Sequence, residues 1–301
     1  MPSDLTSQFL VQIISTKDNI RSKNLNSKLA EMGLGFAISP GVVPNEMDFQ
    51  AGLIHSASLS KLLCQRNMSL GEVGCAIAHK NAMTNFLNSD HQFGIIFEDD
   101  AEIIADFDFD VVIKLLDSNV PKTIALGWIP GFAIAKDPMD PLSEEPIELI
   151  TSPTCAFAYA INRSAARLMV DSQEKIIDVA DWPIYTLNKV KFYSIHPNSP
   201  WVTANHDPKF SIIGVRSTPI RSNTRSVLVS RIRLVRSVFT LLLLSITNQI
   251  NASPKQIIHR LLVRDLLYRY GTSQVSVDTT GNNVIPLPSK FRRLLDLLKL
   301  T

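Results

Sequence analysis

Apolar residues along the chain fall into short, near-continuous runs separated by stretches with helical periodicity. Runs of this kind are typical of strands covered on both faces of a sheet. We predict strands at residues 9–14, 36–38, 93–97, 123–128, 156–161 and 190–195, and helices at 21–32, 69–87, 108–117 and 163–170. Strands that alternate with helices predict an α/β fold with a mostly parallel sheet.

The helix that begins near residue 70 has the clearest start signal. Ser69 followed by Glu72 fits a capping box, in which each residue satisfies the other's backbone N–H. The first turns are rich in small residues, which allow close approach to a sheet or a ligand. Asp108 is the expected N-cap of the next helix.

An apolar strand at residues 93–97 ends abruptly in Glu98, Asp99 and Asp100. Unpaired charge is too costly to bury, so these carboxylates belong at the carboxyl end of the strand, where open α/β sheets bind ligands. Oxygen ligands suit Mg²⁺ or Mn²⁺, which commonly share carboxylates with substrate phosphates. A solvated acidic turn is the simpler alternative.

The composition is that of an ordinary globular protein, with 45% hydrophobic and 19% charged residues in 301. The cysteines are Cys64, Cys75 and Cys155, which are too widely spaced to indicate a zinc motif or a disulfide framework. Each is expected to be a small buried hydrophobe. The amino terminus lacks the basic region of a secretory signal, and no apolar run reaches the roughly 20 residues that span a bilayer.

Charge divides the chain into two parts. Residues 1–215 carry 16 basic and 25 acidic residues, a net of −9, whereas residues 216–301 carry 14 basic and 3 acidic residues, a net of +11. In the second part, arginines alternate with leucines around residues 260–269 and 292–299, as in basic amphipathic helices that lie on anionic membranes. Packing of this tail on the acidic body is the alternative, and nucleic-acid binding is not expected because the basic residues have few aromatic neighbours.

Four blocks in order resemble glycosyltransferase family 25, the lipooligosaccharide galactosyltransferase type. They are the small-residue helix at residues 69–79, the acidic segment at 97–103, the strand and helix at 158–168, and Asp181 with Trp182. The resemblance covers roughly residues 9–215. It implies a GT-A-like, Rossmann-type domain at 1–215 and an inverting transferase that uses a nucleotide sugar, whereas the charge pattern predicts the basic helical tail at 216–301.

In this interpretation Asp100 holds Mn²⁺ or Mg²⁺ against the diphosphate of the donor, and His206 is a second candidate ligand. Glu98 and Asp99 contact the donor or waters on the metal. His79 bonds phosphate or sugar, unless it is simply a satisfied core histidine. The remaining candidate donor-binding residues are Arg21, which could equally form a surface salt bridge, and Glu72, which is at least a helix cap.

Inversion requires one general base beside the acceptor hydroxyl. Asp181 is the candidate, because it lies in a block that resembles the family's, directly before Trp182, which we predict to stack on a sugar; capping a helix ahead of Pro183 is the alternative role. The expected reaction moves a hexose, first of all galactose, from a UDP-sugar to a lipid-linked or cell-surface glycan. The alternatives are UDP-glucose or a UDP-N-acetylhexosamine as donor, or a non-catalytic nucleotide- or glycan-binding module. We expect a cytoplasmic protein, peripheral on the inner face of the cytoplasmic membrane.

Overall fold

The structure is a computed structural model of the chain. It describes residues 6–16, 22–46, 48, 54–64, 67–127, 145–149, 156–180, 182–183, 186, 189–196, 199–204, 235, 238–247, 253–254 and 257.

Helices and strands are interspersed through the described residues up to Ala204. In chain order they are β1 Phe9–Ser15, α1 Ser22–Glu31, β2 Ala37–Pro40, α2 Ala57–Cys64, α3 Leu70–Leu87, β3 Phe93–Glu98, β4 Ala101–Ile103, α4 Phe109–Leu116, β5 Lys122–Ala125, β6 Ile147–Leu149, β7 Ala158–Asn162, α5 Arg163–Asp171, β8 Lys191–Ser194 and β9 Val202–Ala204. A 3-10 turn at Thr6–Gln8 precedes β1. Residues 238–246 are also helical and are called the tail helix below.

Seven of the described strands form one sheet in the order β2-β1-β3-β7-β5-β8-β6. The strands β2, β1, β3, β5 and β8 point in one direction, and β7 and β6 run against them. The prediction of a mixed α/β fold with a mostly parallel sheet is therefore confirmed. The remaining two strands, β4 and β9, pair with each other as a separate antiparallel ribbon.

Helices cover both faces of the sheet, and strand alternation sorts the side chains between them. Phe93, Ile95 and Phe97 of β3 pack in one cluster with α1 and α4. Ile96 lies on the opposite face, in a second cluster with α3 and α5. Both faces are apolar, and this explains why the strands have near-continuous apolar sequences.

The chain order places a switch point between β1 and β3. The connection from β1 leads through α1 to β2 on one side, and the chain then crosses back to add β3 on the other side. Ligands of open α/β sheets bind in the crevice at such a point, outside the carboxyl ends of the strands. Glu98 is the last residue of β3 and therefore lies at this crevice.

The predicted long elements are confirmed to within a few residues, and the shortest ones were missed. Strands β4, β6 and β9 have three residues each and were not predicted. Helix α2 begins inside a stretch that the sequence indicated to be irregular, at residues 40–59. A three-residue strand has too few positions to show a period, so only its pairing partner defines it.

The tail helix contacts the body of the protein on one side. Leu241 is fully buried in a small apolar cluster with Leu63 of α2, Ile177 and Ile257. The predicted boundary at residue 215/216, and most of the basic tail, lie outside the described residues. Within the described ranges, no helix combines the length and apolar character needed to cross a membrane.

Candidate functional site

The carboxylate of Glu98 points toward α3 because Glu98 shares the sheet face of Ile96. At this position Nε2 of His79 lies 3.1 Å from Oε1 of Glu98. The backbone of Glu98 is held as well, since its amide donates to the carbonyl of Phe157 at 2.7 Å. Glu98 is thus a partly exposed carboxylate held in a fixed orientation, with 24% of its side chain accessible.

Both ring nitrogens of His79 are engaged inside the protein. Its Nδ1 lies 3.1 Å from the hydroxyl of Tyr159, which projects from β7 onto the same face. His79 is 2% exposed and Tyr159 is 1% exposed. Cys75 lies one helical turn before His79, and one ligand atom each of Cys75, His79 and Glu98 fall within 4.8 Å of one another. We call Cys75, His79, Glu98 and Tyr159 the histidine cluster.

The direction of the hydrogen bonds in this cluster follows from the chemistry of its ends. Burial, and after it the charges of Glu98 and Cys75, raise the pKa of Tyr159 well above its ordinary value, so its hydroxyl keeps the proton. An ionised Glu98 can only accept. Nε2 of His79 therefore donates to Glu98, and Nδ1 accepts from Tyr159. The hydrogen bonds of the cluster thus run from the buried hydroxyl of Tyr159, through His79, to the partly exposed carboxylate of Glu98.

Asp99 and Asp100 form the two-residue turn that joins β3 to β4, and we call them the carboxylate turn. Both are partly exposed, and neither belongs to a strand of the main sheet. The ribbon anchors the turn, because Ala101 pairs with Ala204. His206 lies two residues beyond Ala204, outside the described residues.

Helix α3 has small residues in its first turns, which allow it to approach the carboxyl ends of the strands. The capping box is confirmed: the amide of Ser69 donates to Oε2 of Glu72 at 2.9 Å, and the amide of Glu72 donates to Oγ of Ser69 at 3.2 Å. A Cβ on Gly74 would collide with the carbonyl of Val42, so glycine permits the close contact with the loop after β2. Glu72 is 4% exposed, and its contact with a donor stays a prediction.

Trp182 is part of the core, so the prediction that it stacks on a sugar is wrong. It is 2% exposed, and its ring lies edge-on to Tyr159 and Phe192, with centroids 5.1 and 5.2 Å away. Its indole N–H has no hydrogen-bond partner among the described residues. Its φ of 58° is in the left-handed region, which a bulky residue rarely adopts. Trp182 thus packs against Tyr159 of the histidine cluster.

The structure describes some of the predicted site residues and not others. Glu98, Asp99 and Asp100 follow one another at the carboxyl end of β3, and His79 contacts Glu98; their roles toward a donor or metal stay predictions. The roles predicted for Asp181, Arg21 and His206 concern residues outside the described ranges. The neighbours of Asp181 are described, and the amide of Trp182 donates to the carbonyl of Ala180 at 2.8 Å.

Sequence reasoning missed two members of the histidine cluster. Cys75 is not the buried hydrophobe that was expected, because it is partly exposed and faces His79, whereas Cys64 is buried as predicted. The signal was present in the spacing, since residues four apart lie on one face of a helix. Tyr159 has no such signal, because only the antiparallel pairing of β7 with β3 brings it beside His79.

A family model described as "Glycosyltransferase family 25 (LPS biosynthesis protein)" matches residues 9–184, which include β3, the carboxylate turn and the histidine cluster. No curated protein matches the chain. Among solved structures, the "Crystal Structure of A197 from STIV" aligns with a TM-score of 0.37 and 14% identity, over 62% of this chain and 81% of that chain.

Proposed function

The chain belongs to glycosyltransferase family 25, and we propose that it is an inverting, metal-dependent transferase that moves a hexose from a UDP-sugar to a lipid-linked or cell-surface glycan. Galactose is the first candidate sugar, and UDP-glucose and UDP-N-acetylhexosamine are the alternative donors. One observation carries the proposal: β3 ends in Glu98 at the switch point of the sheet, and Asp99 and Asp100 follow at once in the turn. That is the place where an α/β fold binds a nucleotide.

The carboxylate turn fits a hard divalent cation. Asp99 and Asp100 supply only oxygen, are partly exposed, and stand outside the hydrogen-bonded strands, so they can turn toward a ligand. We propose that Asp100, with Asp99, holds Mn²⁺ or Mg²⁺ there. His206 is the further candidate, because it follows Ala204, the ladder partner of Ala101. Such an ion, when bound, supplies Lewis-acid neutralisation of charge on the departing diphosphate.

Glu98 binds and orients the donor in this proposal. Its carboxylate accepts from His79 and remains partly exposed at the crevice, so it can also accept from a hydroxyl of the ribose or the sugar. Because both nitrogens of His79 are occupied, His79 acts through Glu98 rather than by touching phosphate itself. Arg21, which immediately precedes α1, is proposed to pair with the diphosphate.

Asp181 is the proposed general base. It would take the proton of the acceptor hydroxyl as that oxygen attacks the anomeric carbon from the face opposite the leaving UDP. Support comes from its neighbour, because Trp182 is anchored in the core with a backbone in the left-handed region. Strained backbone of this kind tends to occur at functional sites.

A donor screen tests this function. Purified protein is incubated with each UDP-hexose, Mn²⁺ and a lipooligosaccharide acceptor, and released UDP is measured. We expect one donor to give acceptor-dependent release that disappears on chelation of the metal. A non-catalytic nucleotide- or glycan-binding module, the competing function, would bind UDP or acceptor and release none from any donor.

We also propose that the tail helix contacts an anionic membrane surface. Val235, which precedes the tail helix, is 68% exposed, and three large apolar residues on the outer face of the helix, Phe239, Leu243 and Ile246, are 52–71% exposed. Their spacing of three and four residues forms one stripe, opposite the buried Leu241. Basic residues surround the stripe in sequence: Arg225, Arg231, Arg233 and Arg236 precede it and Lys255 follows. An apolar face with flanking cations fits the interface of an anionic bilayer.

Vesicle co-sedimentation tests this membrane contact. The double substitution Phe239→Ser and Leu243→Ser should reduce binding to vesicles that contain phosphatidylglycerol. The matched control is Val43→Ser, which removes an apolar residue of similar exposure elsewhere on the protein. Equal binding by the double variant and the control would refute the stripe as the contact surface.

A further inference from the structure

We propose that Cys75, His79 and Glu98 form a second metal site, specific for Zn²⁺ and distinct from the carboxylate turn. Their ligand atoms already lie within 4.8 Å of one another. Cys75 and His79 come from one face of α3, and Glu98 comes from the end of β3, so two separate elements converge on one point. Cys75 and Glu98 are partly exposed, which gives an ion access.

The donor atoms select the metal. A thiolate, an imidazole and a carboxylate are the ligands of Zn²⁺, with bond lengths of about 2.3 Å to sulfur and about 2.0–2.2 Å to nitrogen and oxygen. Mg²⁺ and Mn²⁺ prefer oxygen, which the neighbouring turn supplies. Three protein ligands leave the fourth tetrahedral position for water or a ligand. Adjacent residues would thus serve two different cations.

Tyr159 supplies the outer support that a histidine ligand needs. Metal-bound histidines almost always use their second ring nitrogen in a hydrogen bond that fixes the ring. Nδ1 of His79 has this bond, to a buried hydroxyl at 3.1 Å. When Nε2 binds zinc, the proton lies on Nδ1 and is donated to the oxygen of Tyr159. The thiol of Cys75 gives its proton to solvent.

Zinc bound at this site should inhibit the transferase, and this expected inhibition rests on the proposed function. Glu98 directly precedes Asp99, and bound zinc would hold its carboxylate among Cys75 and His79. That carboxylate could then no longer accept from the donor. The expected inhibition does not compete with Mn²⁺, because the two ions occupy different ligands.

Cobalt spectroscopy tests the site without any need for activity. Titration of the full chain with Co²⁺ should give one tetrahedral ion with a thiolate-to-cobalt charge-transfer band, and Zn²⁺ should displace it. Cys75→Ser should remove the band and weaken zinc binding by at least about 100-fold, more than the loss of an outer-shell partner. Cys64→Ser is the matched control, because that thiol is buried against Asp178 and lies outside the cluster.

Thermal melts of both variants verify that they fold. A band that survives Cys75→Ser, or that is absent from the unsubstituted protein, would overturn the zinc site. To test the inhibition, turnover is measured in excess Mn²⁺ with added zinc. The rate of the unsubstituted enzyme should fall, whereas the rate of Cys75→Ser should stay the same. If zinc binds but turnover is unchanged, the proposed inhibition is wrong and the zinc site is retained. If no donor is ever turned over, the proposed function fails while the cobalt result still decides the site.

Discussion

The three consecutive carboxylates, Glu98, Asp99 and Asp100, lie in two different environments, the end of β3 and the carboxylate turn. Glu98 is the last residue of β3, and the alternation of the strand turns its side chain onto His79. Asp99 and Asp100 follow at once, but they form a turn and leave the sheet. The difference shows that three consecutive carboxylates need not share a role. The strand fixes the carboxylate of Glu98 beside His79, whereas Asp99 and Asp100 lie in a turn outside the main sheet.

The largest effect is expected at the carboxylate turn. Asp100→Asn keeps the shape of the side chain and removes its charge, so turnover should fall by about 100-fold or more, the scale of losing one key electrostatic group. The free energy of unfolding should change by less than about 0.5 kcal/mol, as for other partly exposed substitutions. Steady-state kinetics and urea unfolding measure the two quantities.

The control for this change is Asp106→Asn, an exposed aspartate beyond β4. It should leave both turnover and stability unchanged. If Asp100→Asn also retained full turnover, the turn would not hold the catalytic metal and the contrast with Glu98 would fail.

The histidine cluster should show the opposite balance, with a clear effect on stability. His79→Ala leaves a buried hydroxyl on Tyr159 and a carboxylate on Glu98 without their shared partner. The free energy of unfolding should fall by about 1–3 kcal/mol. Urea unfolding measures it, with His91→Ala as the comparison, because the buried Nδ1 of His91 has no hydrogen-bond partner among the described residues. Equal losses in the two variants would contradict the network.

A smaller, pH-dependent effect is expected from Tyr159→Phe. The folded protein raises the pKa of Tyr159, chiefly by burial, so above about pH 10 the unfolded chain ionises first and binds fewer protons. Stability is therefore fully present below that pH and is lost as pH rises. Tyr159→Phe should lower stability by about 1 kcal/mol at neutral pH and should reduce the alkaline loss.

Urea unfolding between about pH 8 and 11 measures this slope. Tyr193→Phe is the comparison, since burial and Glu148 also raise the pKa of that more exposed tyrosine. We expect it to reduce the alkaline loss less than Tyr159→Phe does. An unchanged slope in Tyr159→Phe would show that its hydroxyl does not control the alkaline transition.

Local sequence signals predicted the parts of the site that lie along one element. The capping box starts α3 where Ser69 and Glu72 indicate, and the apolar run of β3 ends at Glu98. The cluster itself depends on tertiary pairing, which the sequence does not encode locally. Tyr159 reaches His79 only because β7 runs antiparallel beside β3. Trp182 was expected to stack on a sugar, because nothing in its own sequence indicates the packing between Tyr159 and Phe192.

The proposed function depends most directly on a divalent ion that the carboxylate turn would hold against the donor diphosphate. Isothermal titration of UDP with and without Mn²⁺, into the unsubstituted protein and into Asp100→Asn, tests this claim. We expect Mn²⁺ to strengthen UDP binding at least about tenfold, a coupling of about 1.4 kcal/mol, and Asp100→Asn to abolish the gain. UDP binding of equal strength with and without Mn²⁺ in the unsubstituted protein would contradict it.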